Sequence, residues 1–243
     1  MKLDELKVKI FADGADVAGM LAMAAKPYIG GFTTNPTLMR KAGVTDYARF
    51  AKEVLAAISD RPISFEVISD DFAEMQRQAL LLASWGPNVY VKIPVTNTRG
   101  ESACDLIRRL AHAGVKLNVT ALFTLPQVRD VARALAPGPS SFISIFAGRI
   151  ADAGQDPLPI MTEALQVMRP FSQQELIWAS PREIFNVVQA DLIGCHAITV
   201  TNDLLAKLPS LGKDLAQFSL ETVKMFHDDA RKAGLNLLPA ETR

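Results

Sequence analysis

The chain is poor in the residues that announce several common functions. It has two cysteines, Cys104 and Cys195, in 243 residues. They have no metal-type spacing and read as reduced core or near-surface thiols of a cytoplasmic protein. The three histidines, His112, His196 and His227, are scattered without metal-ligand spacing. Net charge is +0, from 26 Lys+Arg against 26 Asp+Glu. That balance gives no electrostatic case for nucleic acid or an anionic membrane as partner. No apolar run reaches the roughly 18 residues of a membrane span. Residues 1–7 carry too many charges for a signal peptide. The glycine-rich turn of a dinucleotide site is also missing, since the first strand-like run leads into Phe11-Ala12-Asp13-Gly14-Ala15-Asp16.

What the chain does have is apolar residues, 49% of the total, enough for a sizeable core. Eight short β-branched or apolar runs recur, at 8–12, 31–34, 63–68, 89–93, 115–120, 142–146, 176–179 and 197–200. Segments of helical spacing lie between them, such as the one carrying Phe72, Met75, Ala79 and Leu82. This alternation predicts an α/β fold, a (β/α)8 TIM barrel, as a single domain over 1–243. An open doubly wound sheet is the competitor, and it usually has fewer strands. A helical extension is expected over 213–243, with Leu215, Phe218, Val223 and Phe226 as an apolar stripe. It would cover the barrel or dock on a neighbouring subunit.

One lysine stands in an otherwise apolar strand, Asn88-Val89-Tyr90-Val91-Lys92-Ile93-Pro94-Val95-Thr96. Burying that charge is costly unless it is paired or lost. A neutral lysine is a nucleophile that forms Schiff bases with carbonyls. Taken alone, Lys92 reads better as a strand-end residue whose amine snorkels to water. Its company changes the reading. In a barrel of this kind the site lies at the C-terminal strand ends. Those ends carry Asp13, Thr33-Thr34-Asn35, Glu66, Lys92, Asn118 with Thr120, Ser144 with Arg149, and Ser180 with Arg182. Asp13 is equally well read as a helix cap, Asn35 before Pro36 as a turn cap, and either arginine alone as surface. Glu66 is harder to dismiss, because a carboxylate among apolar strand residues needs a partner such as Lys92. Together the groups describe a chemistry. An amine forms an imine, two carboxylates move protons, Asn and Ser/Thr groups hold hydroxyls, and two arginines with Ser180 hold a phosphate. The implied substrate is a phosphorylated polyhydroxy ketone cut or joined beside the imine, with no metal required.

The segments Gly31-Phe32-Thr33-Thr34-Asn35-Pro36-Thr37, Ser64-Phe65-Glu66-Val67, Val91-Lys92-Ile93-Pro94-Val95-Thr96, Leu117-Asn118-Val119-Thr120 and Ser144-Ile145-Phe146-Ala147-Gly148-Arg149-Ile150 occur in that order. On them the chain resembles transaldolases, class I aldolase-like barrels, from about Ile10 to about Thr201. The resemblance implies that Lys92 is the Schiff-base lysine and that Asp13 is the acid/base at the C4 hydroxyl. It implies that Glu66 and Thr120 position a catalytic water. Asn35, Asn118 and Ser144, with Thr33 among the substrate-binding positions, resemble residues that hold the dihydroxyacetone part. Arg149, Ser180 and Arg182 resemble the phosphate group's binders, and Phe146 the aromatic residue over the site. No cofactor is implied, and the partners would be phosphorylated ketose and aldose sugars.

Three positions depart from the common pattern: Gly14 where Thr or Ser is frequent, Ile145 where Pro is frequent, and Pro181 between Ser180 and Arg182. In size the chain resembles the small subfamily that includes fructose-6-phosphate aldolase. Those aldolases carry Gln at the position of Glu66 and Tyr at that of Phe146, and Asn118 also suits the transferases better. The expectation is therefore transfer of a dihydroxyacetone unit between a ketose phosphate and an aldose phosphate. A free aldolase and a transferase of an unusual-sugar pathway are the alternatives. A catalytically idle scaffold would not need Lys92, Asp13 and Glu66 together. The small subfamily forms pentamer-based rings and the longer enzymes dimers, so the resemblance implies a homo-oligomer.

Overall fold

All eight strand-like runs become strands, and they close into one parallel ring in the order β1 to β8. The structure, a computed structural model, describes residues 2–136 and 138–237. β1 (Lys9–Asp13) is followed by α1 (Val17–Ala24), and β2 (Ile29–Thr33) by α2 (Pro36–Lys41) and α3 (Tyr47–Ala57). β3 (Ile63–Glu66), β4 (Val89–Pro94) and β5 (Leu117–Leu122) lead into α4 (Phe72–Ala83), α5 (Cys104–His112) and α6 (Leu125–Leu135). β6 (Ser141–Ile145) is followed by α7 (Ala147–Asp152) and α8 (Pro157–Met168), and β7 (Gln174–Trp178) by α9 (Phe185–Leu192). β8 (Ala197–Thr201) ends in α10 (Asn202–Leu205), and α11 (Leu215–Lys232) lies beyond. The fold is a (β/α)8 barrel.

Local chemistry starts the helices where the strands stop. The side chains of Asp16, Asp46, Asp71 and Thr124 each accept a backbone N–H of the first turn of α1, α3, α4 and α6. These are N-caps, worth about 1 kcal/mol apiece. The stripe read on α4 buries as expected, with Met75, Ala79 and Leu82 against the ring. Strand residues of one parity, such as Val91, Val119, Ile143 and Ile198, join that outer core between strands and helices.

Residues of the other parity fill the lumen in layers. Phe11, Phe142, Ile177 and Ala197 form a separate apolar cluster with Tyr90 packed on it. Phe11 meets Phe142 edge to face at 5.5 Å, and Tyr90 lies 4.4 Å from Phe142. Gly31 makes room for this plug, since a Cβ there would sit 2.8 Å from the Phe11 ring. Two residues further along the same strands stand Asp13, Lys92, Ser144 and Thr199. The plug closes the lumen from below and leaves the polar layer facing the C-terminal mouth.

α11 is the extra helix expected after the barrel; residues 238–243 of the expected extension lie outside the described ones. None of its 18 residues is buried, and Leu215, Phe218, Val223 and Phe226 are exposed. Among the described residues its apolar stripe is not packed on the barrel. No helix among the described residues is long and apolar enough to cross a membrane.

Candidate active site

The C-terminal mouth opens into a cavity of about 410 Å³. Of the expected site residues, Asp13, Thr33, Asn35, Glu66, Lys92, Thr120, Ser144, Phe146, Arg149, Ser180 and Arg182 line it. Asn118 does not.

Lys92 and Glu66 are register partners on adjacent strands, β4 and β3, which brings their side chains together. The Lys92 side chain is 8% exposed, and its Nζ lies 3.1 Å from Glu66 Oε2. It also donates to the Thr34 carbonyl at 3.0 Å. A buried ammonium is tolerable only with such partners, and the same partners fix where the amine points. Tyr47 on α3 holds the β3 end in place by donating to the Glu66 carbonyl at 2.9 Å. Burial pushes the Tyr47 phenol up, so it stays a donor.

Asp13 ends β1 and is not the helix cap. Asp16 has that role, accepting from the Gly19 N–H at 2.7 Å. Asp13 Oδ1 accepts from the Thr33 hydroxyl at 2.7 Å, and Thr33 also contacts the Thr199 hydroxyl. Burial pushes the Asp13 carboxyl up, while nearby Lys92 and the Thr33 bond pull it down. Asn35 lines the cavity and also caps α2, its side chain accepting from the Leu38 N–H at 2.9 Å.

Asn118 lies fully buried just under the cavity floor. It donates to Ser64 Oγ at 2.9 Å and accepts from Ser144 Oγ at 2.7 Å. This places Asn118 behind Ser144. Above it, the β5–β6 register shifts between Val119 and Leu122, and Ala121 takes a left-handed φ of 62°. Such irregularities re-aim side chains beside sites. Here Thr120 faces the cavity, with a buried hydroxyl that has no hydrogen-bond partner among the described residues.

The rim is cationic. The Arg149 guanidinium lies 5.5 Å from the centre of the Phe146 ring, a cation–π contact. Arg182 grips Asp152 with Nε at 2.8 Å and Nη2 at 2.5 Å, and its Nη1 donates to Ser180 Oγ at 3.0 Å. The pairing holds the Asp152 carboxyl below its usual range. Ser180 has a left-handed φ of 61°. The start of α7 packs so close that a Cβ on Gly148 would lie 1.5 Å from the Ser180 carbonyl oxygen. Only glycine permits this approach, and Arg149, the next residue, lines the same cavity as Arg182.

Sequence reasoning missed Thr199 and Thr201, which also line the cavity, and Asp152, the anchor of Arg182. Strand parity was the usable signal for Thr199, which shares the inward face of β8 with Ala197 and Thr201 and alternates with Ile198 and Val200. Asp152 sits at the end of a short helix and gave none. Cys195 is buried, which pushes its thiol up to about 12, and it does not line the cavity.

The profile of the family described as Transaldolase/Fructose-6-phosphate aldolase matches residues 10–238. A probable transaldolase of Thermoanaerobacter is 36% identical over 231 residues, 95% of this chain and 100% of that protein. One from Methanococcus maripaludis is 36% identical over 202 residues, 83% and 89% of the two chains. One from Dehalococcoides mccartyi is 31% identical over 215 residues, 87% and 96% of the two. Among solved structures, 2,3-dimethylmalate lyase superposes with a TM-score of 0.55 at 13% identity, covering 99% of this chain and 89% of that one. That last likeness concerns the barrel fold alone. With the family profile spanning nearly all of the barrel and relatives of similar length matched almost end to end, the chain belongs to the transaldolase/fructose-6-phosphate aldolase family.

Proposed function

We propose that this protein is a transaldolase moving a dihydroxyacetone unit from a ketose phosphate to an aldose phosphate through an imine on Lys92. The observation that carries the reading is the Lys92 amine, held 3.1 Å from Glu66 in a cavity that also presents Asp13 and the two rim arginines. Glu66 takes the ammonium proton, and the neutral amine attacks the C2 carbonyl of the donor. Loss of water gives the protonated imine. Asp13 then removes the C4 hydroxyl proton, the C3–C4 bond breaks, and its electron pair passes into the imine as an enamine. The first aldehyde leaves. The enamine attacks the acceptor aldehyde, Asp13 returns its proton to the new hydroxyl, and water releases the product ketose from Lys92.

Glu66 and Thr120 have the chemistry to hold the water that enters and leaves at the imine. Ser144 and Asn35 offer groups for the hydroxyls of the dihydroxyacetone part, and Asn118 orients Ser144 from behind. Arg149, Arg182 and Ser180 form the phosphate clamp, for which a guanidinium fork is well shaped. The family also holds free aldolases. Glu66, Phe146 and Asn118 favour transfer.

The separating experiment supplies fructose 6-phosphate with and without erythrose 4-phosphate and identifies the products by mass. Transfer predicts sedoheptulose 7-phosphate and glyceraldehyde 3-phosphate, with product only when acceptor is present. Free dihydroxyacetone released at a comparable rate without acceptor would make the protein an aldolase.

We infer a cytoplasmic setting and a role in sugar-phosphate metabolism, central or dedicated to an unusual sugar; the two unpaired cysteines suit that setting. We also infer a homo-oligomer, a dimer or a pentamer-based ring, joined through α11. An isolated helix of this length is marginal in water, and Leu215, Val223 and Phe226 stay exposed among the described residues. Sedimentation of the full chain as a monomer at micromolar concentration would refute this.

A further inference from the structure

We propose that Thr199 is a positioning residue for Asp13, completing a hydroxyl chain from Thr199 through Thr33 that donates to the carboxylate and fixes its orientation. The proposal rests on the role given to Asp13 above. Three neighbouring strands each supply one member. Asp13 is the register partner of Thr33 across β1 and β2. Thr199 on β8 pairs with Phe11, one inward position below Asp13. Both threonines are buried, Thr33 at 2% and Thr199 at 7% exposure, and both line the cavity.

Proton counting sets the direction of the chain. An ionised carboxylate only accepts, so the 2.7 Å contact between Thr33 and Asp13 Oδ1 uses the Thr33 proton. A hydroxyl has one proton. In its contact with Thr199, Thr33 must therefore accept and Thr199 must donate. A hydroxyl that accepts one bond is a stronger donor of the next. Thr199 thus strengthens the bond that holds Asp13. If Asp13 takes a proton on Oδ1, both hydroxyls turn over: Asp13 donates to Thr33, and Thr33 donates to Thr199. The chain serves both protonation states by rotation alone, and no proton leaves the trio. A general acid/base that must accept and return one proton needs such a partner in each state.

Few other groups act on this carboxyl. Burial raises its proton affinity, Lys92 of β4 lowers it, and Glu66 of β3 raises it. β2 and β8 carry no titratable side chain within Ile29–Thr33 and Ala197–Thr201. Asp16 is occupied as the cap of α1, and Asp203 of α10 is bonded to Thr201. The threonine pair is the hydrogen-bonding support that neither charge supplies.

The test compares Thr199→Val, which keeps shape, with Thr199→Ser, which keeps the hydroxyl. The readouts are kcat and KM for fructose 6-phosphate across pH, and borohydride trapping on Lys92. The Val variant should lose about tenfold in kcat at neutral pH, with KM changed less than about twofold. Its acidic limb should move up by about half to one pH unit, because the carboxylate has lost support. Trapping should be unchanged, and Ser should restore both kcat and the limb. A wild-type pH profile in the Val variant overturns the proposal, as does a Ser variant as damaged as Val, which would make the methyl group the working part. If Val does not fold, Thr199→Ala takes its place against Ser. A wild-type protein that traps no imine on Lys92 removes the proposed function and this inference together; trapping with an unmoved pH profile removes this inference alone.

Discussion

The two layers of the barrel lumen are built by the same strands, one inward position apart, and they have opposite characters. β1 contributes Phe11 below and Asp13 above; β4 contributes Tyr90 and then Lys92; β6, Phe142 and then Ser144; β8, Ala197 and then Thr199. Two residues of strand cover roughly 6.6 Å. Across that step the lumen passes from packed aromatic rings to paired charges and hydroxyls. The lower layer stabilises the ring. The upper layer holds groups that burial penalises, as the raised carboxyl of Asp13 shows. Stability and chemistry are thereby separated along the barrel axis, and mutations in the two layers should fail in different ways.

The largest effect should come from the upper layer. Lys92→Arg keeps a cation beside Glu66 but removes the nucleophile, because a guanidinium does not deprotonate in a protein. Turnover should fall by several orders of magnitude while circular dichroism shows an intact fold. Retained turnover would break the division at its centre.

Asp13→Asn should cost ~10²–10⁴ in the rate of carbon–carbon cleavage while still permitting a trapped imine. The same change should stabilise the protein near neutral pH. A carboxyl whose folded-state pKa is raised contributes stability at low pH and loses it as pH rises through that folded-state value. The variant should therefore melt higher than wild type at pH 7 to 8, with the gap closing as pH falls toward the ordinary carboxylate range. A gap that widens on acidification would contradict the electrostatic account of the layer.

Phe142→Ala tests the lower layer. Truncating a buried phenylalanine costs about 3–5 kcal/mol. The expected result is a large loss in denaturant midpoint with near-normal kcat in the molecules that remain folded. A loss of kcat larger than the folded fraction explains would show that the plug also aligns the upper groups.

The rim gives the smallest effect. Arg182→Ala removes one charge-assisted contact to phosphate, worth about 1.5–3 kcal/mol, or roughly 10- to 150-fold. The loss should fall mainly on KM for phosphorylated donors, with unphosphorylated fructose barely affected. Its exposed pair with Asp152 adds little to stability. Equal damage on both donors would make Arg182 structural.

Most of the ring was legible because β-branched runs bounded by helical spacing carry their own signal. The strand edges were less so. β2 begins at Ile29, two residues before the run read at 31–34, a start that Gly30 and Gly31 mask because glycine carries little strand signal; Gly31 is there to admit Phe11. β7 begins at Gln174, a polar residue that is buried because it donates to the Ala132 carbonyl. β3 stops at Glu66 because the chain then turns outward, and the Gln78 side chain accepts the N–H groups of Ile68 and Ser69. In the site, chemistry-bearing residue types at strand ends could be read. Their second partners could not. Thr199 reads as an ordinary β-branched strand residue until Thr33 is seen against it, and Asp152 is paired with Arg182 only by the packing of α7 on the β7 loop.

The account turns on a covalent bond at one lysine. Sodium borohydride added to the protein with fructose 6-phosphate, followed by proteolysis and peptide mass mapping, tests it most directly. The account predicts a reduced sugar adduct on the peptide containing Lys92, absent without borohydride and absent in Lys92→Arg. An adduct on another lysine with Lys92 unmodified, or turnover with no trapped adduct at all, would contradict it.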